Sequence, residues 1–383
     1  MNDASPTPSA IPPVDLRVAL IIPSLDRGGA EKQLCLLAEA LPRYGIEPVV
    51  IVLTRDGPLR EALDRAGVEV RVVGKRFRAD PSAYLRLRRV IAAVAPDIVH
   101  TWLFAANAYG RAAARSVAVP VVLGSERCVD LWKSPLQFAI DRYFASRCEG
   151  ITTNSPGVRD FYVSHGIAAE RFTVIPNGIP PRRSDEISKD EAFHRLDVDP
   201  SRRLILAVGR LWPQKRYRDL IWAGELLGSL RQDSTVVIIG DGPQSGELLR
   251  YRDAVSCPDH VRFAGHRDDV AALLPHADVY WLGSEYEGQS NALIEAMRAA
   301  LPVIATDIPG NRDLVIPERT GLLVSVGDRA DFARQTHRLL DDCDLATALG
   351  EAAREKIATE FTVDAMAAAH ASLYRRLARK TDS

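Results

Sequence analysis

Leu204-Ile205-Leu206-Ala207-Val208-Gly209-Arg210-Leu211-Trp212-Pro213-Gln214-Lys215 reads as a buried strand that ends on a glycine and then presents two cations. Five consecutive apolar residues without alternation describe a strand covered on both faces, as in a parallel sheet. Gly209 permits a tight turn at the strand's end. Arg210 and Lys215 then stand at the carboxyl end of the sheet, where doubly wound folds bind their ligands. Arginine offers a planar fork for two phosphate oxygens and lysine a compact point charge. Taken alone, the pair reads equally well as two solvated loop cations.

The same strand-then-helix pattern runs outward in both directions. Toward the N-terminus, Arg17–Ile22, Pro48–Leu53, Glu69–Val73, Asp97–His100, Val119–Leu123, Gly150–Asn154 and Phe172–Pro176 are expected strands, with helical stretches such as Ala30–Leu41 and Leu59–Ala66 between them. Toward the C-terminus the expected strands are Ser234–Ile239, Val261–Phe263, Val279–Leu282, Pro302–Ala305 and Gly321–Val324. The Pro- and Arg-rich stretch Pro176–Asp190 interrupts the alternation and reads as a linker. The chain is therefore expected to be α/β, with two Rossmann-like doubly wound domains facing a cleft. The expected divisions are a disordered tail over 1–15, an N-terminal Rossmann-like domain over 16–179 and a C-terminal Rossmann-like domain over 180–360. Residues 361–383 are expected to form a helix packing back toward the N-terminal domain.

Glu287 and Glu295 lie in Ser284-Glu285-Tyr286-Glu287-Gly288-Gln289-Ser290-Asn291-Ala292-Leu293-Ile294-Glu295-Ala296-Met297. An acid, a glycine and polar residues followed by an apolar helical run describe a loop entering a helix. One carboxylate stands before the helix and the other about one turn inside it. Between them, the free N–H groups of the helix N-terminus favour an anion. Two carboxylates flanking an anion site suit a ligand with hydroxyls at both ends and phosphate in the middle, as in a nucleotide-sugar. Beside this feature, Arg210 and Lys215 read as phosphate ligands.

Other features are open to two readings. Gly28 and Gly29 precede a helix after the first strand, as a plain tight turn or a close approach to a ligand. Gly240-Asp241-Gly242-Pro243-Gln244-Ser245-Gly246 has GxGxxxG spacing with an intruding proline, a weak match to a dinucleotide fingerprint. It is expected to be a turn near the base of a nucleotide. His100 closes an expected strand and reads as a cleft residue or a structural histidine, and Glu126 as an acceptor-side carboxylate. Asp197-Val198-Asp199 and Asp341-Asp342-Cys343-Asp344 read as solvated turns. The cations Arg71, Lys75, Arg76, Arg78, Arg86, Arg88 and Arg89 read as a solvated face, compatible with anionic lipid headgroups or a phosphorylated acceptor.

A formal net charge of −1 argues against a whole-chain nucleic-acid binder. The five cysteines, Cys35, Cys128, Cys148, Cys257 and Cys343, contain no CxxC pair, which argues against zinc and a disulfide scaffold. No apolar run approaches the roughly 20 residues of a membrane span. A reduced, cytoplasmic setting is expected.

Taken together the motifs resemble the family 4 retaining glycosyltransferases of GT-B fold. The resemblance runs from Leu20 nearly to the C-terminus. It rests on Gly28-Gly29-Ala30-Glu31, Ile175-Pro176-Asn177-Gly178, Val208-Gly209-Arg210-Leu211 with Lys215, Gly240-Asp241-Gly242-Pro243, the Glu287–Glu295 spacing, Pro302-Val303-Ile304-Ala305-Thr306 and Gly310-Asn311. It implies that Arg210 and Lys215 hold the donor diphosphate, that Glu287 bonds the donor sugar and that Glu295 holds the ribose. It also implies that Gly288, Gln289, Ser290 and Asn291 lie against sugar and phosphate, with Gly28 and Gly29 closing from the acceptor domain. No metal or other cofactor is implied, because the cations and the helix N-terminus neutralise the leaving diphosphate. The implied activity is transfer of a hexosyl group, with a UDP-sugar favoured as donor and a glycan or lipid-linked sugar as acceptor. The setting would be polysaccharide or glycolipid synthesis, with peripheral contact at the inner face of the cell membrane. Two departures bear on the donor sugar. Gln289 stands where many relatives carry an aromatic or apolar residue, and Glu126 itself stands at the position where some carry a histidine that touches the donor sugar. The competing readings are a nucleotide-sugar epimerase or hydrolase, a nicotinamide-dependent oxidoreductase and a non-catalytic nucleotide-sugar binding protein.

Overall fold

The computed structural model describes residues 13–77, 79–181, 186–257 and 259–381. Most of the expected N-terminal tail, residues 182–185 of the expected linker and Arg78 lie outside the described residues. The chain divides into two compact units. The first comprises residues up to Asn154, Arg159–Gly178 and the segment from Val363 onward, and the second comprises Ser155–Val158 and Ile179–Thr362.

The first unit is built on seven parallel strands: β1 (Leu16–Ser24), β2 (Ile46–Arg55), β3 (Glu69–Val72), β4 (Ile98–Trp102), β5 (Val121–Glu126), β6 (Gly150–Thr153) and β7 (Phe172–Val174). Their order is β3-β2-β1-β4-β5-β6-β7. This order reverses between β1 and β4, so the first unit is a doubly wound sheet. Val18–Ile22 are entirely buried, as a strand covered by helices on both faces must be. The helix Gly29–Ala40 turns Leu34, Leu37 and Ala38 inward. Met366, Ala367, Ala371 and Tyr374 of the helix Val363–Thr381 join the same core cluster. The one polar side chain buried on the Gly29–Ala40 helix, Gln33, is satisfied reciprocally. It donates to the Gly178 carbonyl at 2.9 Å and accepts from the Gly178 N–H at 2.8 Å.

The second unit repeats the plan with six parallel strands: β8 (Arg203–Val208), β9 (Ser234–Ile239), β10 (Val261–Gly265), β11 (Val279–Leu282), β12 (Val303–Thr306) and β13 (Leu322–Val324). Their order is β10-β9-β8-β11-β12-β13. Helix starts are capped as the sequence allows. Ser188, Ser290, Asp328 and Asp342 each accept a backbone N–H three residues on. Asp342, in the stretch read as a surface turn, is thus the N-cap of the helix Cys343–Glu360. Among the described residues, no helix is long and apolar enough to cross a membrane.

Two strand ends correct the sequence reading. β4 continues through Thr101 to Trp102, and β5 through Gly124 and Ser125 to Glu126. The register pairs Thr101 with Gly124, Trp102 with Ser125 and Glu126 with Thr153, so the ladder carries residues of weak strand preference. Residues expected just past the strands therefore belong to them.

Candidate active site

The carboxyl ends of β8 and β11, neighbours in the second sheet, bring together residues far apart in sequence. After β8, the segment Gly209–Lys215 ends in a short 3₁₀ turn that carries Lys215. After β11 comes the loop Gly283–Gln289, and Ser290 caps the helix Asn291–Arg298. The Glu285 N–H donates to the Gln214 carbonyl at 2.8 Å and ties the two loops together. Between them the Lys215 ammonium forms an ion pair with Glu287 Oε1. The same oxygen accepts from Ser284 Oγ at 2.7 Å. Both charged side chains are nearly buried, at 14% and 9% exposure. Such a pair holds its geometry far better than two long side chains in open solvent.

Arg210 is exposed, with its guanidinium over the Trp212 ring at 4.6 Å. A cation braced on an aromatic face and open to solvent can meet an anion arriving from outside. Ser290 Oγ accepts the Leu293 N–H, and Glu295 lies half-buried about one turn inside that helix. Gly288, Gln289 and Ser290 are buried in the loop, and Asn291 is the helix's first residue. Burial, reinforced by Glu287, pushes the Tyr217 phenol well above its ordinary value, so it stays neutral beside the pair.

Close backbone packing explains the glycines around this edge. Gly240 has φ +147°, and a Cβ there would lie 1.9 Å from the Gly209 carbonyl oxygen. The Leu211 N–H also donates to the Asp241 carbonyl at 2.9 Å. The GxG spacing thus records the contact between the loops after β8 and β9. Likewise, a Cβ at Gly310 would lie 2.2 Å from the Gly288 carbonyl oxygen. Asn311 Nδ2 donates to the Thr306 carbonyl at 2.9 Å, and Thr306 Oγ1 donates to the Ser284 carbonyl, fixing the end of β12 against the loop after β11.

The residues expected in the first unit fare differently. Gly28 and Gly29 sit at the carboxyl end of β1, where Gly28 is the N-cap of the helix Gly29–Ala40. His100 is not at a strand end. It lies in the middle of β4, fully buried, with Nδ1 2.7 Å from Tyr374 Oη and Nε2 2.9 Å from Thr152 Oγ1. Burial, with His370 and Arg127 adding, holds its imidazole well below the ordinary value. Glu126 is likewise the last residue of β5 and 2% exposed. Its carboxylate accepts from Lys133 Nζ at 3.1 Å and from Asn107 Nδ2 at 2.9 Å. In this arrangement His100 lies inside the sheet and Glu126 ends β5 at its carboxyl edge, each with its polar atoms engaged by neighbouring side chains.

Lys133 was invisible to the sequence reading. Its side chain is fully buried and also meets Asp130 at 3.2 Å, Asp141 at 2.9 Å and Tyr162 Oη at 2.6 Å. Arg111 reaches Asp141 at 3.3 Å, giving a buried cluster of three carboxylates and two cations. Burial works against the lysine's charge, but Glu126, Asp130 and Asp141 outweigh it and hold the ammonium above its ordinary value. Burial, with Glu126 adding, pushes Asp141 up to about 6.

In the basic stretch, Arg71 pairs with Glu69 at 2.6 Å, and Arg86 donates to the Val73 and Gly74 carbonyls at 2.9 and 2.8 Å. These cations hold local structure. Among the described residues, no group of three or more His, Cys, Asp or Glu side chains gathers to hold a metal ion.

Residues 188–356 match the family described as Glycosyl transferases group 1, and residues 27–183 match Glycosyltransferase Family 4. The chain belongs to the family 4 glycosyltransferases. It is 27% identical over 346 residues to the Escherichia coli UDP-Gal:alpha-D-GlcNAc-diphosphoundecaprenol alpha-1,3-galactosyltransferase, covering 85% of this chain and 88% of that one. It is 25% identical over 346 residues to the Rhizobium meliloti lipopolysaccharide core biosynthesis glycosyltransferase LpsE, covering 90% and 95%. The crystal structure of Anabaena HepE in complex with UDP-glucose superposes with a TM-score of 0.83 at 21% identity, over 94% of this chain and 100% of that one. The family's fold is GT-B, and the two doubly wound sheets described above conform to it. As a family member the chain is a glycosyltransferase with relatives in polysaccharide and lipid-linked glycan synthesis.

Proposed function

We propose that this glycosyltransferase moves a hexosyl group from a nucleoside diphosphate sugar, a UDP-sugar, to a glycan or lipid-linked acceptor with retention of configuration and without a metal. The observation that carries the reading is the Lys215–Glu287 pair beside the exposed Arg210 at the carboxyl edge of the second sheet. In the transfer, the bond between the anomeric carbon and the diphosphate oxygen breaks, and its electron pair leaves with the diphosphate. The acceptor oxygen bonds the anomeric carbon on the face the diphosphate leaves, and its proton passes to the departing diphosphate oxygen. Arg210 and Lys215 stabilise the charge gathering on the leaving group, more in the transition state than in the ground state. Glu287, held by Lys215 and Ser284, is positioned to accept from sugar hydroxyls. Glu295 takes the ribose, and the backbone of Gly288–Asn291 flanks sugar and phosphate. Retention draws on the family resemblance. The choice of uridine draws on the Anabaena HepE complexes with UDP and the Escherichia coli relative named for UDP-Gal. That relative's diphosphoundecaprenol acceptor supports a lipid-linked acceptor.

The test is thermal unfolding with UDP, GDP, ADP and NAD, each with and without EDTA. A ligand that binds only the folded state raises Tm by mass action. The expected result is a shift with UDP that EDTA leaves unchanged and that Arg210→Ala weakens. A shift with NAD alone, or one that EDTA abolishes, overturns the reading.

A further inference from the structure

Arg127 directly follows β5, in the loop whose other end Lys133 anchors. Its guanidinium lies over the Trp102 ring at 4.4 Å, and Nη2 donates to Asn177 Oδ1. The residue is 6% exposed. Among the described residues, its Nε and Nη1 meet no hydrogen-bond partner. The neighbouring carboxylate does not serve it, because Glu126 is taken by Lys133 and Asn107. Burial alone pulls the guanidinium down to about 9, with no carboxylate acting the other way, and it remains charged at neutral pH.

Further unmet polar atoms lie in the same part of the unit. Trp102 Nε1 and His370 Nε2 are buried without a partner, and their rings stack at 6.3 Å. Asn154 Oδ1, just past β6, and Ser125 Oγ, in β5, are also buried and unmet. Buried polar groups are almost always hydrogen-bonded, and a buried charge without a counter-charge is strongly disfavoured. Trp102 ends β4, Arg127 follows β5 and Asn154 follows β6, three adjacent strands of one sheet. The unmet groups therefore cluster at the carboxyl edge, where doubly wound sheets take their ligands.

We propose that the first unit binds a compact oxyanion, a carboxylate or phosphate group, on Arg127, with the Trp102 indole N–H as a neighbouring donor. Charge-assisted bonds to such a group supply the missing counter-charge. The guanidinium is too enclosed to hold the body of a ligand, so the oxyanion is a terminal group. Resting on the transferase reading above, it is the charged end of the acceptor. The site selects acceptors that carry such a group over neutral sugars.

The test uses the full chain as wild type, Arg127→Met and Arg127→Lys. Thermal unfolding is followed against sodium phosphate and, separately, sodium acetate, at ionic strength held constant with sodium chloride. Saturating UDP occupies the donor-side cations. The expected result is a rise of several degrees in wild type with at least one oxyanion, a smaller rise in Arg127→Lys and none in Arg127→Met. Which oxyanion acts tells phosphate from carboxylate. In oxyanion-free buffer, Arg127→Met is expected to melt no lower than wild type, since it removes an unpaired charge and keeps the packing on Trp102. Equal responses in wild type and Arg127→Met overturn the proposal. So does a wild type indifferent to both oxyanions, in which case Arg127 serves Trp102 and Asn177 alone. A UDP titration without oxyanion reads the donor site by itself. Its failure counts against the transferase reading and leaves the Arg127 comparison standing, because both chains share the same donor side.

Discussion

At the carboxyl end of β5, charged side chains are sealed among one another, whereas at the carboxyl end of β8 a nearly buried ion pair stands beside a cation open to solvent. Glu126, Asp130, Asp141, Lys133 and Arg111 satisfy each other with almost no water. In the second unit, Lys215 has one partner and Arg210 projects from a tryptophan face into solvent. Both edges end parallel strands of the same kind of sheet, yet one closes its charges against each other and the other leaves Arg210 exposed beside its pair, as the proposed donor site requires. Fold position alone therefore does not mark a functional carboxylate. What separates Glu287 from Glu126 is that its partner, Lys215, stands beside a further exposed cation.

The largest effect expected from this contrast is on stability. Lys133→Met leaves Glu126 and Asp141 facing each other in a buried site, and breaking such a cluster costs about 3–5 kcal/mol. Denaturant unfolding should show that loss, while the Tm increment from UDP, which belongs to the second unit, should survive. A Lys133→Met chain as stable as wild type would mean that the cluster is not sealed. The next effect is on activity. Arg210→Ala should cut transfer at least ~100-fold, the scale of losing one charge-stabilising donor, with little change in stability because the side chain is exposed. Near-normal turnover would remove Arg210 from the site.

The smallest effect is a pH slope. Among the described residues, both fully buried histidines, His100 and His370, belong to the first unit. Burial holds His370 down to about 3 and His100 well below its ordinary value. Their neutral forms are favoured on folding, so their contribution is present above about pH 6.5 and is lost as pH falls toward 3. Each is worth up to about 1.4 kcal/mol per pH unit. Asp141, raised to about 6, acts in the opposite sense. Its contribution is complete below the ordinary value of 3.8 and is lost as pH rises through about 6. Between pH 6.5 and 5 the imidazoles favour a fall in stability, which the raised carboxyls of Asp141 and Asp130 oppose. His370→Gln should remove its share of that fall. A variant with the same pH dependence as wild type would contradict the burial of its imidazole.

The strands were legible because their apolar runs are continuous, and an apolar run needs no tertiary information to be read. Their ends were not. Gly124 and Ser125 have poor strand preference and stay in the ladder only because β4 and β6 pair with them on either side. That shift of two or three residues puts His100 in mid-strand, while Glu126 ends β5 at the carboxyl edge, engaged by Lys133 and Asn107. Lys215 and Glu287 were each visible from local context, but their pairing across 72 residues was not. Lys133 and Arg127 carried no local signal at all. A lone cation in a loop looks solvated until the fold brings Asp141 and Tyr162, or Trp102 and Asn177, around it.

The helix Val363–Thr381 supplies Tyr374 to His100 and lies in the core of the first unit. During synthesis it leaves the ribosome after the whole of the second unit. The nascent N-terminal sheet must wait, its core lacking Met366, Ala367, Ala371 and Tyr374, until that helix arrives. The second unit can fold while it waits, so the order of completion on the ribosome runs opposite to the order of translation, and the unfinished sheet is the stretch a chaperone would need to shield.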